Sequence, residues 1–274
     1  MIIGIKNTIS SNNWSPGDGA LTPSDIDGLD VWFKVNTGIA GEDSSGNAHS
    51  TSAGNMADGD DINSWADQSG NDRHASQGTD SKKPHWETDA ADFGGLVWLG
   101  DGPNTHLNMA TNVGGDTDSI LANEDFTIMI RVKITSFDDV NALIGSASKE
   151  LIKWTSNKRV GVFIGSNNPI IEFEESSDTL ATDTYYIHTL TRKDGSTGNV
   201  TYHIHGGSYD DKFWDNDSST RQDADAYVLN NIGCAANNAL PVEGVFKDVL
   251  VWKGTALTDS QRNDMYTYIN GQAY

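Results

Sequence analysis

The chain has 274 residues, a length that suits one large domain or two small ones. Its 18 Lys and Arg residues against 39 Asp and Glu residues give a net charge of −21. Such a surface repels nucleic acid and anionic membranes, so neither is expected as a partner. Cys234 is the single cysteine, which excludes an intrachain disulfide, and no apolar run reaches the ~18 residues that a membrane helix needs.

The first 20 residues are predicted to form an N-terminal arm and linker. Residues 2–9, IIGIKNTI, have the pattern of a short strand, and residues 10–20, SSNNWSPGDGA, are turn formers. The apolar run is too short for a signal peptide and has no basic segment before it, so we expect none. The arm either docks as an added strand on a partner or forms the first strand of the domain.

Residues 21–274 are predicted to form one β-sandwich. Thr22, Pro23 and Asp25 have the spacing of a capped helical turn, and a strand with Trp32 follows. Residues 36–61 contain little apolar surface and are predicted to be a long surface loop. In DFTIMIRVKI, residues 125–134, apolar and other residues alternate as in a half-buried strand.

The second half of the chain continues the strand pattern and then changes to a helix. Residues 184–207 are typical of a hairpin with the turn DGSTGN, residues 207–226 are predicted to be a polar loop, and residues 245–254 are a strand. A capping box at Thr258 and Gln261 then begins a short helix. Many short strands with frequent turns predict an all-β fold with one C-terminal helix.

Five segments carry a resemblance to a known group of domains. They are LTPSDIDGLDVWFKVNTGI, INSWADQSGNDRHASQ, DFTIMIRVKI, YYIHTLTRKDGSTGNVTYHIHGG and VFKDVLVWKGTALTDSQRNDMYTYINGQAY. In this order they resemble concanavalin A-like, laminin-G-like jelly-roll domains over residues 21–274, of the kind found in virion proteins of marine phages, especially cyanophages, and in bacterial surface proteins. The resemblance implies a concanavalin A-like antiparallel β-sandwich that binds carbohydrate or protein, sometimes with calcium, and it does not imply catalysis.

The same fold also houses laminarinase-type glycosidases, which carry the pattern E-x-D-x-x-E on one strand. The nearest match is IIEFEESS, in which Glu172 and Glu174 share a strand face but Ser177 stands in place of the third acid. A solvated acidic edge strand explains this pattern as well. The sequence therefore predicts that the chain is not an enzyme, with a glycoside hydrolase as the alternative.

An acidic loop is the candidate metal site. Asp58, Asp60, Asp61 and Asn63 provide oxygen ligands of the kind that calcium prefers. The loop does not follow the EF-hand pattern, because Ile62 occupies a ligand position and no Glu closes the loop. Solvated acidic residues that bind no metal are the alternative.

The candidate sugar site is an aromatic loop. Carbohydrate sites place aromatic rings beside Asp, Asn and Gly, because a sugar has both an apolar face and hydroxyl groups. Trp214 is the leading candidate, with Asp215, Asp217 and Tyr209 around it; in the alternative, Phe213 and Trp214 fold back onto the sandwich. Two further loop aromatics fit the same need, Trp86 and Tyr227.

The stretch WADQSGNDRHASQ, residues 65–77, raises the same choice between a site and a turn. Asp67 and Ser69 suit an Asx-type turn, in which their side chains bond backbone amides, and Gly70 allows a positive φ. The sequence predicts a structural turn.

We expect a virion accessory protein: capsid decoration, or a fibre- or tail-associated component. Assembly in a host cytoplasm agrees with a chain that lacks disulfides and an export signal. The expected partners are other virion proteins and surface glycans, with many copies per particle so that weak contacts add up. A bacterial surface adhesin is the other alternative.

Overall fold

A computed structural model gives the structure of the chain. It describes residues 21–89, 94–99, 105–109, 124–136, 141–145, 151–154, 160–163, 170–173, 180–193, 199–214, 229–234 and 242–272. The predicted arm, residues 1–20, lies outside the described residues.

One layer is a sheet of six antiparallel strands, called here the front sheet. Its strands, in spatial order, are β1 (Leu29–Lys34), β18 (Gly244–Lys253), β9 (Phe126–Ile134), β14 (Tyr185–Lys193), β15 (Asn199–Gly206) and β16 (Tyr209–Trp214). Among the described strands, β1 and β16 form its two edges. The predicted alternating strand at residues 125–134 is confirmed as β9, and the predicted hairpin is confirmed as β14 and β15.

The second sheet is built from shorter antiparallel strands. In spatial order they are β3 (Ala48–Ser50), β2 (Ile39–Glu42), β4 (Asp61–Trp65), β5 (Ala75–Ser76), β8 (Leu107–Met109), β17 (Asn231–Ile232), β10 (Asn141–Gly145), β11 (Leu151–Trp154), β12 (Val160–Phe163) and β13 (Ile170–Phe173). Two strands connect the sheets, because β6 (His85–Asp89) pairs with β4 and with β7 (Gly94–Leu99), and β7 pairs with β18.

The core lies between the two sheets. Alternate residues of the front sheet, such as Ile128, Ile130 and Leu190, share one apolar cluster with Trp65 and Trp154 of the second sheet. These side chains are almost completely removed from water. The predicted all-β antiparallel sandwich with a C-terminal helix is therefore confirmed.

Helix α1 (Asp259–Asn270) covers the outer face of the front sheet. Thr258 caps it as predicted: Oγ1 of Thr258 accepts a bond from the Gln261 backbone, and the Gln261 side chain accepts one from the backbone N–H of Thr258. Met265 and Ile269 then pack on strand residues such as Leu250 in a second apolar cluster. Within the described part of the chain, no helix has the length and apolar character to cross a membrane.

Two predicted loops contain strands. Residues 36–61 include the β2–β3 hairpin, in which Ile39 and Gly41 face inward although the surrounding residues are polar. Gly41 is required there because an added Cβ would lie 2.3 Å from the Asp61 carbonyl oxygen. Within the second predicted loop, residues 207–226, Tyr209–Trp214 form β16, and residues 215–226 lie outside the described residues. Both predictions failed because short strands with small or charged residues lack a strong apolar alternation.

The turn after β4 has the structure that the sequence predicts. Oδ1 of Asp67 accepts bonds from the backbone N–H groups of Trp32 (2.8 Å) and Ser69 (3.0 Å), and Oδ2 accepts from the Ser69 hydroxyl (2.6 Å). Gly70 has a φ of 92°. Arg73 donates to both carboxylate oxygens of Asp30 on β1. The polar side chains of this turn hold the chain against β1, so the structural reading is confirmed.

Candidate functional site

The two aromatic residues at the end of β16 point to opposite faces of the front sheet. Trp214 is fully buried between the sheets, where its ring meets that of Trp154 edge to face at 5.7 Å. The prediction that Trp214 is a sugar platform is therefore wrong, because the ring has no accessible face in this structure. Among the described side chains, Phe213 is the large hydrophobic one that is exposed, at 46%.

The other predicted ligand residues are dispersed. Tyr209 is half-buried against the core, with its ring 6.0 Å from that of Tyr186. Asp215 and Asp217 lie outside the described residues, as does Tyr227. Trp86 is buried rather than displayed on a loop.

A groove of about 650 Å³ lies on the outer face of the front sheet, between the ends of β14, β15 and β16 and the start of α1. It is open on one side, and Phe213 contributes an apolar wall. The rest of its lining combines the apolar side chains of Ala256 and Leu257 with hydroxyl and charged side chains, chiefly Thr191, Lys193, Thr201, Asp259, Ser260 and Arg262.

Arg262 on α1 organises the floor of this groove. Its Nε and Nη2 donate to Oδ1 and Oδ2 of Asp211 on β16, at 3.3 and 2.9 Å, and Nη2 also lies 3.1 Å from Asp259. The hydroxyl of Tyr266 donates to the same Asp211 carboxylate at 2.9 Å. The helix and the edge strand are thus joined by a partly buried ion pair.

Arg262 also fixes the tautomer of His203. Nη2 of Arg262 lies 3.2 Å from Nε2 of His203. Because a guanidinium has no acceptor, Nε2 of His203 must accept, and the ring proton of the neutral imidazole is on Nδ1. Burial and then the Arg262 charge lower the pKa of His203, although Asp211 and Asp259 raise it in part. His203 is neutral at physiological pH and packs beside Phe213, with ring centroids 5.4 Å apart.

Part of the hydrogen-bonding capacity of the groove is not used within the described chain. Among the described residues, Nη1 of Arg262 makes one long contact, 3.5 Å to the Leu257 carbonyl oxygen. Lys193 is exposed at the end of β14. The arrangement therefore offers donors, acceptors and one aromatic face to a ligand of small to moderate size.

The residues predicted to bind calcium contact different parts of the chain. Oδ2 of Asp60 accepts from Nδ1 of His49 at 2.6 Å and from the Ala57 backbone at 2.7 Å, while Asp61 lies 2.8 Å from His85. Asp58 accepts from the Thr88 backbone, and Asn63 lies within β4.

No three of the described His, Cys, Asp and Glu side chains form a group that suits a metal ion. The four residues are thus not gathered around one point, and calcium binding stays a prediction. Of the acids considered for catalysis, Glu172 lies on β13 and Glu174 lies outside the described residues.

Sequence reasoning missed Phe213, Arg262 and Asp211. Phe213 is adjacent to Trp214, the predicted sugar platform, and adjacent residues of a strand face opposite sides of the sheet. Arg262 carried a weak signal, because a capped helix with Met265 and Ile269 on one face leaves Arg262 beside that face. The contact between Arg262 and Asp211 joins residues 51 positions apart, and the sequence carries no local signal for it.

Comparisons with known proteins identify the fold. No model of a protein family matches the chain, and no curated protein matches it. Among solved structures, domain 4 of the GH43 extracellular arabinanase AbnA from Geobacillus stearothermophilus, in complex with arabinotriose, has a TM-score of 0.53 and 15% identity, covering 86% of this chain and 97% of that one.

Two larger proteins match at a similar level. A Trypanosoma rangeli sialidase in complex with sialic acid has a TM-score of 0.51 at 13% identity, with 93% of this chain covered. An arabinofuranosidase complexed with arabinofuranosyl-α-1,2-xylobiose has a TM-score of 0.52 at 14% identity, with 90% of this chain covered. The match spans about a third of the sialidase chain, 34%, and 59% of the arabinofuranosidase chain.

These neighbours contradict the prediction that the chain is not an enzyme. They are a sialidase, an arabinofuranosidase and a domain of an arabinanase, and the prediction rested on the absence of a few motifs. A missing motif excludes one catalytic design and not the reaction class. The neighbours are glycoside hydrolases or domains of such enzymes, and the chain has the fold of a concanavalin A-like, jelly-roll β-sandwich.

Proposed function

We propose that the chain binds carbohydrate, in the groove beside Phe213. The observation that carries this proposal is the exposed Phe213 ring, which lies in a groove that hydroxyl and charged side chains also line. A sugar needs this combination, because its C–H face stacks on an aromatic ring while its hydroxyl groups exchange hydrogen bonds.

The chemistry of the groove favours a neutral saccharide. Lys193 and Arg262 supply donors, while Asp259 and the hydroxyls of Thr191 and Thr201 supply acceptors. The positive charge of Arg262 is balanced by Asp211 and Asp259. The net charge of −21 also repels polyanionic glycans at long range. Two fold neighbours are described with neutral sugars, arabinotriose and arabinofuranosyl-xylobiose.

Calorimetric titration of the whole chain tests the proposal. The probes are arabinotriose, arabinofuranosyl-xylobiose, other neutral oligosaccharides and sialic acid. We expect binding to at least one neutral probe, and Phe213→Ala should weaken it about tenfold, or ~1.4 kcal/mol, since a central aromatic contact is lost. Asn263→Ala, an exposed change on α1 outside the groove lining, is the matched control and should leave the affinity unchanged.

The same samples distinguish binding from turnover. Reducing ends are measured after incubation with each probe that binds, in the parent protein and in Phe213→Ala. Release that falls with the affinity would make the groove part of a hydrolase site. Absence of binding to every neutral probe, or equal affinity in Phe213→Ala and the parent, would contradict the proposed site.

The second part of the proposal concerns the assembly in which the chain binds carbohydrate. On the resemblance to domains of marine phage virion proteins, we propose that the chain is a virion accessory component that presents its groove to surface glycans. Deletion of residues 1–20 tests the arm as anchor: particles should then contain fewer copies, counted by quantitative mass spectrometry. Normal copy number in the truncated protein would contradict the arm.

A further inference from the structure

The edge strand β16 contains an extra residue. Lys212 pairs with Ile204 and Tyr209 pairs with Gly206, so β16 uses three steps where β15 uses two. Asp210 and Asp211 together therefore oppose His205, which is the arrangement of a β-bulge. Asp211 has a φ of 46°, in the left-handed region that side chains other than Gly rarely occupy.

The bulge decides which aromatic ring faces the groove. The turn at Gly207 and Ser208 places Tyr209 opposite Gly206, on the inner face with Tyr186. In a regular strand, every second residue after Tyr209 would also face inward. Phe213 would then lie in the core and Trp214 in the groove, since a one-residue shift exchanges the faces. The extra residue reverses this outcome.

Helix α1 holds the bulge through two residues one helical turn apart. Arg262 donates to both carboxylate oxygens of Asp211, and the Tyr266 hydroxyl donates to one of them. The Tyr266 ring also stacks on His205, the residue opposite the bulge, at 4.4 Å and 11°. A left-handed conformation of a residue other than Gly is unfavourable and persists when neighbouring contacts over-determine it.

We propose that the Asp211–Arg262–Tyr266 contact is a positioning device that selects Phe213, and not Trp214, as the ring of the groove. The inference rests on the proposed function for the use of the ring, but the selection of the ring is measured without a sugar. Asp211 and its helix partners act through Phe213, so they are positioning residues.

Cysteine labelling measures the face directly. In a Phe213→Cys variant the new thiol lies at an exposed position, whereas Cys234 is fully buried and burial raises its pKa to about 12, so it reacts slowly. We expect rapid maleimide labelling of Phe213→Cys. Adding Asp211→Val, a β-branched residue that disfavours a positive φ, should slow labelling at least tenfold as position 213 turns inward. Arg262→Met, which keeps the apolar stem and removes the ion pair, should act in the same direction.

Restoring the strand register by a deletion distinguishes a positioning role of Asp211 from a general effect on stability. Deleting Asp210 from Phe213→Cys/Asp211→Val removes the extra residue, so a regular strand again places position 213 outward. Labelling should return to the rate seen in Phe213→Cys alone. Asp210→Val, at an almost fully exposed side chain, is the matched control and should not slow labelling. The proposal would be overturned if adding Asp211→Val or Arg262→Met to Phe213→Cys left the rate of labelling as high as in Phe213→Cys alone. Slow labelling that the deletion does not restore would also overturn it.

Sugar binding is measured separately from labelling. In the background with Phe213 intact, Asp211→Val should weaken binding to the neutral probe about as much as Phe213→Ala does, and the deletion of Asp210 should restore it. A labelling result as expected without any sugar binding would uphold the positioning device and contradict only the proposed function.

Discussion

The front sheet has a polar region at each of its two described edges, and the two regions differ in what their polar side chains bond to. At β1, the turn of residues 66–73 directs its polar side chains at backbone groups: Asp67 accepts from Trp32, and Asn71 donates to Leu29. At β16, polar side chains bond mainly to one another, as in the Asp211–Arg262 pair, and an aromatic ring is left in contact with solvent.

This difference distinguishes the structural turn at β1 from the groove at β16, where we propose that a ligand binds. Both regions are rich in acids and hydroxyls, so composition alone does not distinguish them. The turn bonds both oxygens of Asp67 to the chain itself, which leaves little for a ligand. The groove keeps the side chains of Phe213 and Lys193 exposed. The proposal therefore rests on side chains that stay exposed, and not on the number of acids and hydroxyls in the region.

The largest effect should come from the buried side of β16. Trp214→Ala removes a ring that is fully buried against Trp154, and we expect the free energy of unfolding to fall by about 3–5 kcal/mol. Phe213→Ala, one residue earlier, should cost less than about 1 kcal/mol because much of its ring is already in water. Urea unfolding of both variants measures the contrast. Equal losses would show that the two rings do not occupy opposite faces.

A smaller loss is expected at the other edge. Asp67→Ala deprives the backbone N–H groups of Trp32, Ser69 and Arg73 of their acceptor, which should lower the free energy of unfolding by about 2–3 kcal/mol. Sugar affinity should not change. Asp72→Asn, at an exposed residue of the same turn, is the matched control and should stay within about 0.5 kcal/mol. Lost binding with full stability would make this turn a site.

The same two edges show how much the sequence predicts. The Asp67 turn and the Thr258 capping box were predicted because each depends on residues within a few positions of one another. Strand β9 was predicted because its nine residues alternate clearly. These are local signals, and the physics that produces them acts over one turn of chain.

The groove depends on contacts between distant parts of the chain. The choice between Phe213 and Trp214 follows from a bulge at Asp211, and the partner of Asp211 lies 51 residues later on α1. Periodicity predicts that adjacent residues face opposite sides, but not which side each one takes. The sequence therefore predicted Trp214 as the exposed ring, whereas the structure exposes Phe213.

A low pH should affect stability more through the inner face of the front sheet than through its outer face near the groove. His188 is completely buried, and burial lowers its pKa from 6.5 to about 3. The folded state therefore keeps His188 neutral, while the unfolded chain takes up a proton below pH 6.5. The stability that the neutral ring contributes is complete above pH 6.5 and declines at about 1.4 kcal/mol per pH unit down to about pH 3.

Urea unfolding at pH 7, 5.5 and 4.5 measures this slope in the parent and in His188→Asn, a variant whose amide can still bond the Tyr202 hydroxyl. The variant should lose most of that slope, whereas acids elsewhere titrate equally in both proteins. His203→Asn on the outer face should reduce the pH dependence of the free energy of unfolding by a smaller amount. The reason is that Asp211 and Asp259 offset part of the fall in the pKa of His203. Parallel pH profiles for the parent and His188→Asn would mean that the inner face admits the proton, and hence that the core is less closed than its burial indicates.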